Sequence, residues 1–536
     1  MKLQRLIIRN FRWLKWDDNI IDFSNSNIIF LVWQNNVWKS SFLRAYEFFY
    51  EPVKKATEQD FYNYNQQINI EIEGVFLKEV VDDSDLDLSW EPDWISKWCQ
   101  GGVVRVKKIR SEAGRGFDKF TFDPTKGEFV KNGFGWLHTK LSKYIPKPLC
   151  INAMETAKTL EEKVVELIKD RYLTMVENNP KFLELQSELK TLRSDITSWE
   201  DIEAYNIKVN KYFQNVFLDL KLAIIPKKEE IVDLKKALQT TYTLGITREN
   251  TDRNEFFDQQ WHWVIRQALF NFLAFLQTTT PATFKEYIIL FEEPELFLHP
   301  DVAFKLRKSL YEVAESDSYQ ILCCSHSPLM IDISKPHSSI VRIIKDGDET
   351  THSIQVGDNV FSENGEMKSF VQMINRFNPH ICEVFYSNKI ILVEWDTEAV
   401  VFRYLLSNFF PDSEILVLNC GTKNNMPFFQ KILNHFKIQY FVIHDTDTIQ
   451  KISSRTLNET ISWLLQNDSK RYVFKNTFEV DHNYSVNTTY GKPLSAYNYI
   501  KDKLISDDIP CINILKDILD CQAMNHTQSY IASLFT

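Results

Sequence analysis

Short apolar runs separated by polar turns fill the N-terminal part of the chain and predict β-strands. Each run is rich in Ile, Leu, Val or Phe and has the length of a strand; the runs are Leu3–Ile8, Ile20–Phe23, Ile28–Val32 and Ile68–Phe76. Between the last two, apolar residues recur at helical spacing over Phe42–Phe49, which predicts a strand, a turn and a helix in succession. Turn signals and basic residues over 98–136 then predict a hairpin-rich region.

A segment of helical character interrupts this pattern between Ala153 and Phe217, where glycine is absent and Glu, Lys and Leu dominate. Aliphatic residues recur there at helical spacing; they are Leu160, Val164, Leu167, Ile168, Leu183, Leu185, Leu189 and Leu192. The segment predicts an antiparallel helical hairpin or a small bundle. Two interpretations stay open, a solvated arm with no role beyond packing and an arm that pairs two copies of the chain.

Five apolar runs in the second half of the chain alternate with helical stretches, and this alternation predicts parallel sheets. The runs are Tyr287–Phe291, Gln320–Cys324, Lys389–Val393, Glu414–Leu418 and Gln439–Ile443. Ligands of parallel sheets gather at the carboxyl ends of the strands. Acidic residues or a histidine stand at most of these ends, so we expect the chemistry of the protein there.

Composition narrows the class of protein. The length of 536 residues allows about two to four domains. The longest apolar runs are far shorter than the roughly 18 residues of a membrane-spanning helix, and the N-terminus lacks the apolar region of a signal peptide. Eight scattered cysteines without a CxxC pair exclude a zinc ribbon or a disulfide scaffold and suit a reducing cytoplasm. Because the net charge is -10, any nucleic-acid surface has to be a local patch.

Residues 33–41 have the spacing of a Walker A phosphate loop, G-x-x-x-x-G-K-[ST], between a strand and a helix. The candidate ATP-binding residues of this loop are Trp33, Asn35, Asn36, Trp38, Lys39, Ser40 and Ser41. We expect Lys39 to reach the β- and γ-phosphates and Ser40 to hold Mg²⁺. Tryptophan occupies both glycine positions, where the missing side chain normally lets backbone amides approach phosphate. Taken alone, the segment favours a strand, a turn and a helix with a chance Lys-Ser.

Two later strand ends change this interpretation. Glu292 and Glu293 end an apolar strand as a Walker B pair does, and we expect Glu292 to coordinate Mg²⁺ through Ser40 and water. Glu293 is expected to orient the attacking water, and His326, at the end of the next strand, to sense the γ-phosphate. The phosphate-loop spacing, E-E-P-E-x-x-x-H-P and S-H-S-P, in this order at strand ends, predict an ATPase that binds ATP.

A second acidic constellation lies near the C-terminus. Glu394 and Glu398 follow one apolar strand, and Asp445 and Asp447 follow another. A carboxylate at one strand end and Asp-x-Asp at another is the arrangement of a Toprim fold, and residues i and i+2 of a strand share a face. Oxygen-rich sites suit Mg²⁺ or Mn²⁺, and two such ions can stabilise the attacking and leaving oxygens of phosphodiester cleavage. Glu394, Asp445 and Asp447 are therefore candidate catalytic residues, together with Glu293 of the ATPase.

With these motifs in this order, the chain resembles the OLD (overcoming lysogenisation defect) family of nucleases, relatives of the ABC and SMC ATPases. The resemblance includes I-R-N-F-R at Ile8–Arg12 and the family's signature segment at Asp258–Gln267. It also includes E-W-D-T-E from Glu394 to Glu398, where the family has E-G-x-x-E. Tryptophan stands where glycine is expected at five motif positions, namely 33, 38, 261, 263 and 395, although the whole chain has 13 tryptophans and 14 glycines.

The resemblance implies roles for three further residues. Glu479 and Asp481, in F-E-V-D, look like the acidic motif that completes a second metal site. Lys492, in G-K-P, looks like the basic residue that offsets charge on the cleaved phosphate. The resemblance further implies a DNA substrate, and a homodimer or homotetramer, because ABC-type sites take a signature segment from a second subunit. Members of the class work alone, with a helicase, or with a reverse transcriptase and its nucleic acid.

The leading interpretation is a cytoplasmic, ATP-regulated, metal-dependent DNA endonuclease of the bacterial antiphage-defence kind. Its expected fold class is α/β, an ABC/SMC-like ATPase with a helical dimerisation insert, followed by a C-terminal Toprim domain. The expected boundaries are 1–150 and 241–375 for the ATPase, 151–240 for the insert and 376–536 for the Toprim domain. Two alternatives stay open, a catalytically degenerate scaffold of the same fold and an SMC-like DNA-repair ATPase without nuclease activity.

Overall fold

A computed structural model divides the chain into two compact units, Met1–Ala153 together with Leu273–Thr536, and Met154–Phe272. The structure describes residues 1–15, 19–33, 40–51, 54–78, 98–133, 145–156, 158–163, 165–166, 184, 188, 207, 245–247, 254–256, 287–296, 298–315, 319–345, 351–357, 379–446, 452–466, 468–487, 489 and 491–520. Most of the predicted helical insert and the segment Asp258–Gln267 lie outside these residues.

An antiparallel sheet of six strands begins the first unit. Its strands are β1 (Lys2–Arg9), β2 (Ile20–Asp22), β4 (Ile70–Leu77), β5 (Val103–Arg110), β6 (Asp118–Asp123) and β7 (Glu128–Lys131). They are ordered β2-β1-β4-β5-β6-β7. Buried and partly exposed residues alternate strictly along β5, as expected for a sheet with one face on the core.

A second sheet carries the phosphate-loop strand. It consists of β3 (Ile28–Trp33), β8 (Lys147–Ile151), β11 (Tyr287–Glu292), β12 (Tyr319–Cys324), β13 (Ile340–Lys345) and β14 (Thr351–Gln355). The order is β14-β13-β3-β12-β11-β8, and every neighbouring pair is parallel except β13 and β14. Strands β3 and β12 are buried along their whole length, which explains why their residues read as continuous apolar runs.

The third sheet of this unit is fully parallel. Its strands are β15 (Lys389–Val393), β16 (Ile415–Asn419), β17 (Gln439–Asp445) and β18 (Lys470–Phe474), in the order β16-β15-β17-β18. Parallel strands need crossover connections, and the helices between these strands supply them. The α-helices of the unit are α1 (Ser40–Tyr50), α2 (Pro300–Glu315), α3 (Asp396–Phe409), α4 (Met426–His435), α5 (Ile452–Trp463), α6 (Phe478–Asp481), α7 (Gly491–Ile500) and α8 (Pro510–Asp520).

Two buried cations hold the C-terminal end of α1 on the first sheet. The Lys108 ammonium donates a hydrogen bond to the Phe49 carbonyl, and Arg110 Nη2 donates one to the Phe48 carbonyl at 2.8 Å. The last carbonyls of a helix lack partners within the helix and carry its negative dipole end, so both contacts stabilise the helix terminus. Burial lowers the pKa of Lys108 to about 7. The hydrogen bonds from Lys108 and Arg110 thus fix the C-terminal end of α1. The first residue of this helix, Ser40, belongs to the predicted phosphate loop.

In the second unit, residues 158–163 and 165–166 are helical, and β9 (Gly245–Thr247) pairs with β10 (Asn254–Phe256) in an antiparallel hairpin. In both units, no helix among the described residues is long and apolar enough to cross a lipid bilayer.

The apolar runs predicted to be strands are strands, with ends that agree or differ by at most two residues. Six of the described strands escaped prediction: β8, β9, β10, β13, β14 and β18. These strands are short or carry polar residues, such as Arg342 in β13 and Arg471 in β18, and a short mixed segment has no clear periodicity.

The side chain of Gln320 joins the first two sheets. Its Oε1 accepts a hydrogen bond from the Leu3 N–H at 2.9 Å, and its Nε2 donates one to the Leu3 carbonyl at 2.7 Å. Gln320 is 3% exposed. The buried N–H and carbonyl of Leu3 in β1 therefore both bond to one side chain of β12.

We expect Gln320→Leu to destabilise the first unit by about 2–4 kcal/mol, because the buried N–H and C=O of Leu3 each lose a partner. The measurement is urea unfolding followed by circular dichroism. Gln67→Leu, at an exposed glutamine, is the control and should stay near the parent. Equal unfolding midpoints for the two variants would show that the two hydrogen bonds between Gln320 and Leu3 make no net contribution to stability.

Candidate nucleotide and metal sites

The first candidate site lies at the carboxyl ends of β3, β12 and β11, three neighbouring parallel strands. Strand β12 lies between the other two, so His326 just after β12 is placed between the start of α1 and the Glu292–Glu293 pair. Ser40 is the first residue of α1, and the Ser41 side chain is buried. The predicted phosphate-binding residues Asn35, Asn36, Trp38 and Lys39 lie outside the described residues.

Trp33 is the last residue of β3 and is 1% exposed. Its ring lies edge-on to the ring of His326, with 4.7 Å between the centroids and 74° between the planes. Trp33 was predicted at the first glycine position of the phosphate loop, where phosphate-binding loops keep space free. The indole instead fills the region beside His326.

The Walker B pair occupies the end of the neighbouring strand. Glu292 is the last residue of β11, and the following Glu293 has a left-handed backbone with φ of 46°. Residues other than glycine and asparagine rarely adopt such a φ, and those that do often cluster at functional sites. Glu293 N donates to the Cys324 carbonyl at 2.8 Å, and Glu293 Oε1 lies 3.6 Å from His326 Nε2. The structure thus brings together Glu293 and His326, the two residues predicted to handle water and γ-phosphate.

Glu295 ties the two motif loops together. Its Oε1 accepts hydrogen bonds from Ser325 Oγ at 2.9 Å, His326 N at 2.9 Å and Ser327 N at 3.1 Å. Burial raises the pKa of Glu295 to about 7, although these hydrogen bonds oppose the shift. The E-E-P-E motif therefore sets the position of the histidine loop, a role that the sequence pattern alone had not assigned.

The second candidate site lies at the carboxyl ends of β15 and β17, which are neighbours in the third sheet. Glu394 directly follows β15, Asp445 ends β17, and Glu398 lies in the first turn of α3. Burial, followed by the negative charges of Asp445 and Glu394, raises the pKa of Glu398 to about 8. Glu398 thus lies close enough to Asp445 and Glu394 for their negative charges to raise its pKa, whereas Asp447 lies outside the described residues.

Trp395 contacts both glutamates of its motif. Its indole Nε1 donates to Glu394 Oε1 at 3.0 Å, and its backbone N donates to Glu398 Oε2 at 3.2 Å. The second contact is the capping box of α3, which any residue with an N–H could make. The first depends on the indole, so in this chain the orientation of Glu394 is set in part by Trp395.

The two acidic residues of the F-E-V-D motif, Glu479 and Asp481, have different partners. Lys492 Nζ and Glu479 Oε1 form an ion pair at 2.9 Å. Burial acts to raise the pKa of Glu479, but the hydrogen bonds from Lys492, the backbone and Thr477, together with the charge of Lys492, outweigh it and the pKa is lowered. Asp481 accepts hydrogen bonds from Lys475 N at 2.6 Å and Asn476 Nδ2 at 2.9 Å, so its carboxylate serves a local loop.

Lys423 is a residue at this site that the sequence analysis left without a role. It lies in the 3-10 turn Lys423–Asn425 after β16, and its Nζ donates to the Asp445 carbonyl at 2.6 Å. The signal in the sequence was the G-T-K turn that follows a predicted strand. Only the strand order shows that this turn faces Asp445.

The donor set of the second site fits a hard divalent cation. Carboxylate oxygens are the ligands that Mg²⁺ and Mn²⁺ prefer, and a cation would offset the burial and the neighbouring negative charges that raise the pKa of Glu398. Within the described part of the chain, no three acidic, histidine or cysteine side chains converge closely enough to form a complete metal site. A full coordination shell therefore needs Asp447, water or substrate oxygens in addition.

Known protein families match both halves of this arrangement. Residues 385–447 match the OLD-like TOPRIM domain, described as "Overcoming lysogenization defect protein-like, TOPRIM domain", and residues 1–266 and 160–331 match the "AAA ATPase domain" family. The chain belongs to the AAA ATPase domain family and carries an OLD-like TOPRIM domain. The predicted resemblance is confirmed, as is the predicted fold class, an ATPase followed by a C-terminal TOPRIM domain of mixed α/β structure.

Three relatives of this chain are named as nucleases. The Old nuclease of Escherichia phage P2 is 24% identical over 479 residues, which cover 84% of this chain and 78% of the relative. The OLD nuclease of Thermus scotoductus is 27% identical over 175 residues, which cover 32% and 33%. Endonuclease GajA of Bacillus cereus is 22% identical over 327 residues, which cover 56% and 46%. The chain thus aligns with less than half of the last two relatives, and the similarity supports a nuclease with an ATPase domain.

The opposite pKa shifts of Glu398 and Glu479 predict opposite effects of pH on stability. The pKa of Glu398 rises from 4.5 to about 8 on folding, so the stability from its protonated form is complete below about pH 4.5 and is lost as pH rises towards 8. Glu398→Gln carries no such proton. In chelator-treated protein, we expect the melting temperature of Glu398→Gln, relative to that of the parent, to rise steadily between pH 5 and pH 8.

Glu479→Gln is the matched control, because the pKa of Glu479 is lowered and its ion pair stabilises the fold only when the carboxylate is charged. That variant should equal the parent in acid and fall below it at neutral pH. Differential scanning calorimetry at several pH values measures both curves. A difference in melting temperature between Glu398→Gln and the parent that does not change with pH would contradict the raised pKa of Glu398.

Proposed function

We propose that this chain is an OLD-family, ATP-regulated, Mg²⁺- or Mn²⁺-dependent DNA endonuclease that acts in bacterial antiphage defence. The observation that carries the proposal is the grouping of Glu394, Glu398 and Asp445 at neighbouring strand ends of the TOPRIM sheet. Neighbouring carboxylates, two of them buried, are costly to a fold unless a cation uses them. The nuclease names of the relatives support the same activity.

In this proposal, the candidate metal ligands are Glu394, Glu398, Asp445, Asp447 and Glu479. A divalent ion, when bound, supplies an activated water and neutralises charge on the cleaved phosphate. Glu398 must release its proton to become a ligand, so metal binding grows stronger as pH rises. Lys492 is 62% exposed, and its ammonium can leave Glu479 to meet a DNA phosphate. Asp481 supports the site through the loop that it holds.

The ATPase domain is proposed to regulate this cleavage. Lys39, Asn35, Asn36 and Ser41 would contact the phosphates of ATP, and Ser40 and Glu292 would hold its Mg²⁺. Glu293 is placed to orient water, and His326, 3.6 Å away, to respond to the γ-phosphate. We further propose a homodimer or homotetramer, because an ABC-type site takes the Asp258–Gln267 segment from a second copy. A helicase or a reverse transcriptase stays a possible partner of that assembly.

The scaffold alternative rests on one specific observation, the buried indole of Trp33 beside His326. Independent decay of several motifs would leave different residue types at the former glycine positions. Here a single residue type, tryptophan, replaces glycine at all five positions. This uniformity favours one systematic replacement in an otherwise active nuclease, such as a codon read as tryptophan in one cell and as glycine in another. The form with glycine at all five positions is therefore the form to test for activity.

We expect the five-glycine variant to nick supercoiled plasmid in Mn²⁺, and Asp445→Ala in that background to lose about two orders of magnitude in rate or more, because a charged ligand is removed from the reacting centre. Asp412→Ala, an exposed carboxylate of the same domain, is the control. Gel analysis of nicked and linear products gives the rates. Equal rates for Asp445→Ala and its parent would refute the TOPRIM assignment, and an inactive five-glycine chain would favour the scaffold.

The nucleotide site makes a separate prediction. With tryptophan at 33 and 38, the chain should bind ATP weakly, since the indole of Trp33 occupies space beside His326. The double variant Trp33→Gly, Trp38→Gly should bind at least about tenfold more tightly, a difference of about 1.4 kcal/mol. Calorimetric titration with ATP and Mg²⁺ measures both, and Trp463→Ala, at an exposed tryptophan, serves as control. Micromolar binding by the unaltered chain would refute this prediction.

A further inference from the structure

The backbone carbonyl of Asp445 is an unusual hydrogen-bond acceptor because it receives two side chains. Lys423 Nζ donates to it at 2.6 Å, and His444 Nδ1 lies 2.7 Å from it. Asp445 is the last residue of β17. Its carbonyl is thus held from two directions at the point where the sheet ends.

A third residue fixes the protonation of the histidine. Arg471 Nε, on the neighbouring strand β18, donates to His444 Nε2 at 2.9 Å. Since Arg471 only donates, Nε2 must be the unprotonated nitrogen of His444 and Nδ1 must carry the hydrogen. His444 Nδ1 therefore donates a hydrogen bond to the Asp445 carbonyl. The two hydrogen bonds run in the same direction, from Arg471 to His444 and from His444 to Asp445.

Both contacting side chains are removed from solvent. His444 is fully buried, and Lys423 is 5% exposed. Burying an ammonium group is costly unless charge or hydrogen bonds compensate it. In the order β16-β15-β17, a lysine that follows β16 must pass the end of β15 to reach Asp445. Glu394 directly follows β15, so the buried cation lies on the side of the sheet where the carboxylates gather.

We propose that Lys423 is a positioning residue of the nuclease metal site, and that it acts with the His444–Arg471 pair through the Asp445 carbonyl. The two donors fix the peptide of Asp445, and with it the direction of the carboxylate that binds metal. The ammonium also offsets part of the negative charge of Glu394 and Asp445. This inference rests on the proposed metal-dependent nuclease.

The test is Mn²⁺ affinity of the full chain by calorimetry, with Lys423→Met, Lys423→Arg and the exposed control Lys501→Met. Loss of a residue that orients metal ligands commonly weakens metal binding by about 10–100-fold. We expect that loss for Lys423→Met, recovery to within a few-fold for Lys423→Arg, and no change for Lys501→Met. Equal Mn²⁺ affinity for Lys423→Met and the parent would overturn the inference.

A second pair of variants tests the same carbonyl without removing a charge. Asparagine at 444 places its amide N–H near the former Nδ1, whereas glutamine places it near the former Nε2. We expect His444→Asn to keep Mn²⁺ binding within a few-fold and His444→Gln to lose about tenfold or more. If Lys423→Met lowers the melting temperature, its weaker Mn²⁺ binding could reflect unfolding, and the two His444 variants then provide the test. Equal Mn²⁺ affinities of His444→Asn and His444→Gln would count against the proposal.

The outcomes separate the two proposals. If neither the parent chain nor its five-glycine variant binds Mn²⁺, the metal-dependent nuclease itself is refuted; if only the five-glycine variant binds, the substitutions at 423 and 444 are made in that background. A parent that binds Mn²⁺ while Lys423→Met and His444→Gln bind as well as the parent leaves the nuclease intact and removes only the positioning role of Lys423.

Discussion

The parallel pairing of strands is the constraint on which both candidate sites depend. Parallel neighbours end at the same edge of a sheet, whereas antiparallel neighbours end at opposite edges. Pairing of β3, β12 and β11 therefore gathers the start of α1, His326 and the Glu292–Glu293 pair from three distant parts of the chain. Pairing of β15 with β17 does the same for Glu394 and Asp445. Neither grouping would survive a reversal of one strand.

Gathering carboxylates at one edge creates an electrostatic problem that the protein meets with protons and cations. Burial and neighbouring charges leave Glu398 with a pKa of about 8 and Glu295 with a pKa of about 7, so both carboxyls hold protons more tightly than free glutamate. Lys492 pairs with Glu479, and the buried Lys423 lies beside Asp445. A divalent cation at the second site would take over the work of the proton on Glu398, and this exchange links metal affinity to pH.

Much of the fold and the outline of both sites could be predicted from the sequence, because buried parallel strands give continuous apolar runs with reactive residues at their ends. The predicted strand Lys389–Val393 agrees with β15 at both ends. The sequence could not reveal contacts that depend on strand order, such as Lys423 with Asp445 or Glu295 with the histidine loop. It also could not show that Asp481 serves its own loop, because F-E-V-D reads the same whether its last carboxylate faces a metal or backbone amides.

The two sites also share a mechanical connection within the first unit. Tyr386, at the end of the 3-10 segment Pro379–Tyr386, donates to the Ser327 carbonyl at 3.2 Å, beside His326. Arg342 of β13 donates to the Ser387 carbonyl at 3.0 Å and to Asn388 Oδ1 at 2.9 Å.

Strand β15 begins one residue after Asn388 and ends directly before Glu394. The start of the strand that presents Glu394 is therefore anchored on the ATPase sheet and, through Tyr386, on the loop that carries His326. A displacement of that loop would strain the Tyr386 hydrogen bond or be passed on to the beginning of β15, because packed side chains and a short buried strand deform little. The two candidate sites are thus joined by one tyrosine, one arginine and one strand.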